Sequence, residues 1–81
     1  MSRVAKPAGP EIDLRANPDL PAGVQVVRAL KSVQMGETVS VVAPDAKTTT
    51  EILDVVRATG NTLIASIPFE GYVRLVVRRR R

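Results

Sequence analysis

The 81 residues, 44% of them apolar, suffice for one small domain with a modest core, near the lower end of what folds alone. The absence of cysteine and histidine excludes a disulfide framework, a thiol nucleophile and cysteine metal sites, and removes the commonest general base. The formal charge of +4 is unevenly placed: Arg78, Arg79, Arg80 and Arg81 are all basic, and without them the domain would be close to neutral.

Residues 1–10 hold Pro7, Gly9 and Pro10 and no apolar period, so a flexible leader is expected. Its start, Met1-Ser2-Arg3-Val4-Ala5-Lys6, has no apolar h-region, and no apolar run in the chain is long enough to span a membrane. The expectation is a soluble, cytoplasmic protein. Residues 11–14 alternate polar and apolar, with Ile12 and Leu14 pointing one way, as in a short strand.

A turn over residues 16–18 leads into a helix expected over residues 20–34. Val24, Val27 and Leu30, with Val26 and Val33, fall at helical spacings, while Arg28 and Lys31 lie toward the other side. Asp19 precedes Leu20 and Pro21, and a proline in the first helical turn loses no hydrogen bond, so Asp19 reads as the N-cap. Its carboxylate would face the positive end of the helix dipole. Gly23 either permits close packing or loosens the first turn, and Met35-Gly36 reads as the helix end.

Residues 38–43 are β-branched and alternating, with Val39 and Val41 on one face and Ser40 and Val42 on the other, before Pro44 stops the strand. This predicts a central strand. Thr48-Thr49-Thr50-Glu51 matches a capping box, so a second helix is expected from near Thr48 through Ile52, Leu53, Val55 and Val56 to Thr59-Gly60, with Asp54 and Arg57 on its solvent side. Residues 62–67 and 72–77 are β-rich segments joined by Pro68-Phe69-Glu70-Gly71, a hairpin turning at Glu70-Gly71. The order β-α-β-α-β-β predicts an α+β fold: a two-layer sandwich of a four-stranded mixed sheet with two helices on one face.

Asp13, the first helix start, Gly36-Glu37, the run Asp45-Ala46-Lys47-Thr48-Thr49-Thr50-Glu51-Ile52 and the segment Thr59-Gly60-Asn61-Thr62-Leu63 resemble the TusA (SirA-like) family of sulfur carriers. The resemblance covers residues 11–78, leaving the leader 1–10 and a basic tail 79–81 outside it. It implies the same two-layer fold, like the C-terminal domain of the third translation initiation factor. It also implies a cysteine, in a Cys-Pro-x-Pro motif at the first helix's amino end, that carries sulfur as a persulfide to a partner.

Counting back without a gap from Gly36-Glu37 sets Asp19 at the motif cysteine, and Leu20 and Ala22 at the two prolines. Ala16 and Asn17 stand where the family tends to have Gly-Leu, and Asn61 where members often show a histidine. A helix N-terminus lowers a thiol's pKa, and the thiolate is the attacking species. Asp19 shares the charge and the place but can neither form nor transfer a persulfide, so sulfur carriage through this site is excluded. Two readings of Asp19 remain: a helix cap contributing about 1 kcal/mol, or a fixed carboxylate that mimics the thiolate or persulfide for a docking partner. Asp13, at the family's motif aspartate, can hold the turn through backbone N–H groups or pair with Arg15. Asn61 is most simply a polar residue leaving a helix cap.

No catalytic residue, metal ligand or cofactor is expected. The carboxylates are scattered along the chain, a pairing of Asp13 with Asp19 lacks a histidine, and there is no phosphate-binding glycine loop. The leading reading is a non-catalytic TusA-like protein-binding domain, a regulator of sulfur relay or a small accessory subunit of a larger complex. Its expected contact residues are Asp13, Ala16, Asn17, Asp19, Leu20 and Gly23, and an exposed apolar patch there would support it. The alternative is an RNA-binding module that contacts phosphates through Arg78, Arg79, Arg80 and Arg81, although such a run is most often a solvated terminus, and the lone Tyr72 and Phe69 give weak grounds for stacking on bases. Contact of the same arginines with acidic lipid ranks lower, since it usually needs a second membrane signal.

Overall fold

The protein's structure is a computed structural model that describes residues 9–81. Its elements are β1 (Glu11–Asp13), α1 (Ala22–Lys31), β2 (Thr38–Ala43), α2 (Ala46–Ala58), β3 (Thr62–Phe69) and β4 (Tyr72–Arg78). The sheet runs β1-β2-β4-β3, with β1 parallel to β2 and the other pairs antiparallel. The expected α+β fold is therefore present, with β2 and β4 central.

Period-two alternation puts Val39 and Val41 of β2, and Leu75 and Val77 of β4, against Val26 and Leu30 of α1 and Ile52 and Val56 of α2. On the opposite face Ser40 and Val42 are buried as well. There the Arg74 guanidinium of β4 crosses β2 to pair with Glu11 of β1. The leader expected over residues 1–10 lies outside the described residues as far as Ala8. Pro10 runs beside β2, its carbonyl accepting from the Ser40 N–H.

Both helix starts differ from expectation. Helix α1 begins at Ala22, and its N-cap position is held by Pro21 with no side-chain cap bond, so Asp19 does not cap it. The physical reason is Pro21 itself, since a proline pushes the residue before it out of the helical region. Leu20 instead closes a turn, its N–H donating to the Asn17 carbonyl. The cap of α2 falls three residues early, at Asp45, which accepts from the Thr48 N–H at 2.8 Å, so the helix begins at Ala46. That bond holds the Asp45 carboxyl below its ordinary pKa. Thr48 is thus the third residue of the helix, and Thr49 and Thr50 donate their hydroxyls back to the carbonyls of Asp45 and Ala46.

Helix α1 also stops early, at Lys31, where the Ser32 hydroxyl takes the Ala29 carbonyl at 2.6 Å. Gly36, with φ +87°, belongs to the next turn, in which the Glu37 N–H donates to the Gln34 carbonyl. Strand β3 runs on through Pro68, which an edge strand tolerates, and Gly71 completes the two-residue turn with φ +87°. Among the described residues no helix is long and apolar enough to cross a membrane.

Gly23 is explained by packing. A Cβ there would stand 2.8 Å from Cγ2 of Val55, so the glycine sets how closely α1 approaches α2. Overpacking costs about 1–3 kcal/mol, against a gain of about 1 kcal/mol from alanine's helix propensity. Gly23→Ala is therefore expected to destabilise the fold by about 1 kcal/mol in chemical denaturation, and the cost should shrink in a Val55→Ala background. An equal cost in both backgrounds would place the strain elsewhere.

Candidate functional site

The loop between β1 and α1 is held at three points. Leu14 is buried and extends the β1–β2 ladder, its N–H donating to the Val42 carbonyl at 3.0 Å. Asp13 accepts from the Arg15 backbone N–H at 3.0 Å and binds the Arg15 guanidinium in bidentate fashion, at 2.8 and 2.7 Å. Gln25 of α1 turns its amide back to the carbonyls of Asn17 and Leu20, at 3.1 and 3.0 Å. Arg15 then lies over the Tyr72 ring, 4.9 Å from its centroid, and Tyr72 stacks on Phe69 with centroids 4.9 Å apart and planes 13° from parallel.

This leaves a cleft of about 470 Å³ between the starts of the two helices, lined by Leu14, Pro18, Leu20, Pro21 and Pro44 among others. A shallower groove of about 500 Å³ adjoins it along the outer surface, where Pro21, Gly23, Val24 and Val55 meet Glu51. Leu20 and Val24 are 44% and 42% exposed, large values for branched apolar side chains.

Of the expected contact residues, Leu20 and Gly23 line these two depressions, and Ala16 and Asn17 lie exposed in the loop beside them. Asp13 both holds the turn and pairs with Arg15. It does not form a carboxylate pair with Asp19, because Arg15 takes both its oxygens. Asp19 is exposed, and its carboxylate makes no hydrogen bond or ion pair among the described residues. No group of three acidic, histidine or cysteine residues that could hold a metal occurs among the described residues.

The four arginines lie along the body at the far end of the sheet. Arg78 is half-buried in β4, paired in register with Thr38 and Thr62. The Arg79 N–H donates to the Glu37 carbonyl at 2.8 Å, while its guanidinium reaches the Val33 carbonyl at 2.6 Å and caps the negative end of α1. Asn61 accepts from the backbone N–H groups of Arg80 and Arg81, at 2.7 and 3.2 Å. These roles of Asn61, Arg79 and Gln25 were not readable from local spacing: the Asn61 bonds join residues 19 and 20 positions apart. The sequence matches no protein-family model, and comparison with curated proteins returns no match.

The Arg15 side chain is the main cause that holds the Asp13 carboxyl at a pKa of about 2, below its ordinary 3.8. A depressed carboxyl contributes stability above its unfolded pKa and loses it as pH falls through the folded value. The loop should thus be intact above pH 3.8 and released on the way down to about 2. Tyr72 is the only tyrosine and there is no tryptophan, so its fluorescence reports the change directly. An acid titration should show a midpoint near pH 2 that Asp13→Asn abolishes; a midpoint at the ordinary carboxyl value would contradict the pairing.

Proposed function

We propose that this chain is a non-catalytic, TusA-like domain that binds a protein partner through the loop and helix start around Leu20, as a regulator of sulfur relay or a small subunit of a larger complex. The observation that carries this reading is the exposed apolar surface at the start of α1, where Leu20 lines the cleft and Val24 the adjoining groove. Asp19 adds to it. Its carboxylate is not consumed in capping the helix, so it is available to a cation on a partner where the resembled family presents a thiolate. With aspartate at that position no persulfide chemistry follows, and the domain acts by docking alone.

The test is affinity purification of the tagged protein from its native cells, comparing wild type, Leu20→Arg, Asp19→Arg and the double variant Arg80→Glu/Arg81→Glu. A defined protein should be recovered with wild type and with the double variant. Recovery should fall about tenfold or more with Leu20→Arg and Asp19→Arg, whose exposed positions leave the far-ultraviolet dichroism unchanged. Equal recovery with all four would remove the helix start as the contact.

A second reading, RNA binding, has one observation in its favour. Arg81 lines a single depression with Lys31 and Asn61, and Arg57 with Asn61 lines the next, so one end of the molecule is basic. Recovery of RNA alone, lost with the double arginine variant and steeply weakened by salt, would favour it over the protein-docking reading.

A further inference from the structure

At the sheet edge opposite β1, strand β3 carries no charged residue over its eight positions, Thr62–Phe69. Three of its apolar side chains are exposed: Ile64 by 45%, Ile67 by 42% and Phe69 by 46%. Ile67 and Phe69 stand opposite Arg74 and Tyr72, on the sheet face away from the helices. An uncharged, exposed edge of this length is a template for another strand.

Its two ends carry opposite charge. Glu70 follows β3 in the hairpin turn, while Asn61, just before β3, holds Arg80 and Arg81. We propose that two copies of this chain associate through β3 in antiparallel fashion about a two-fold axis, joining their sheets. Antiparallel alignment sets Glu70 of each copy beside the arginine end of the other, twice over, whereas parallel alignment would set like beside like. The apolar side chains of the two edges then form one continuous stripe.

The occupant is a second copy because both halves of this complementarity, the neutral apolar strand and its oppositely charged ends, lie on the same surface of one chain. The irregularity between Leu63 and Ala65 and the missing N–H of Pro68 shorten the ladder that can form. The remaining edge, β1, is only three residues long, so pairing closes at two copies.

Sedimentation equilibrium of the full chain, from micromolar to sub-millimolar concentration, tests this. The mass should rise from 8.7 kDa toward twice that value, with weaker association at high salt. Ile67→Lys should hold the single-chain mass with unchanged dichroism, and Glu70→Arg should raise the dissociation constant about tenfold. A wild type that stays at the single-chain mass throughout overturns the proposal, as does a dimer that survives Ile67→Lys, or growth into open-ended larger species. None of these outcomes touches docking at Leu20, which lies in the loop before α1 and not on β3.

Discussion

Strand β2 has little contact with water on either side: Val39, Val41 and Ala43 lie under the helices, and Ser40 and Val42 are buried beneath the opposite face. Its backbone groups can then be satisfied only by neighbours, and β1 and β4 supply them in parallel and antiparallel ladders. The rest of the molecule is hung from this strand. The parallel pairing with β1 forces the chain to cross back over the sheet, and α1 is that crossing. Leu14 carries the ladder one residue beyond β1, so the loop that follows leaves from a fixed point.

That loop forms the end of the molecule at which docking is proposed, and it is built without a side-chain cap on α1. Pro21 prevents Leu20 from joining the helix, Gln25 ties down the turn before it, and the Asp13–Arg15 pair on the Tyr72 ring fixes its other side. The result is a preformed cleft of mixed lining, with the exposed Asp19 carboxylate next to Leu20 in the same loop. A surface formed in advance of binding would spare a partner the cost of ordering it, which is what the proposed docking requires. The opposite end is built by Arg79, whose guanidinium joins Arg28 and Lys31 at the carboxyl end of α1, while β4 is continued by residues tied to Asn61.

Local periodicity made the six elements, their order and the two-layer arrangement legible, because the apolar residues of α1, α2 and the strands repeat at the periods their elements need. The Glu70-Gly71 turn was legible for the same local reason. The helix starts were misread where two start signals competed: the proline's effect on Leu20 overrode Asp19 as a cap, and Asp45 captured α2 before the threonine motif. At the site, Asp13 and its pairing with Arg15 were within reach of a two-residue window, and Leu20 and Gly23 do line depressions. The stack of Arg15 on Tyr72 was not legible, since it joins β1's end to the hairpin through the fold alone. The C-terminal arginines, expected as a separate tail, carry bonds to residues far back in the chain that composition cannot express.

The most direct test of the account is site-specific photocrosslinking in living cells, with a photoreactive residue placed at Leu20 and, as a control, at exposed Asp54 on α2. The account predicts a discrete protein adduct at Leu20 that is missing at Asp54 and is lost when Asp19 is replaced by arginine. Adducts of equal strength at both positions, or none at Leu20, would contradict a docking surface at the start of α1.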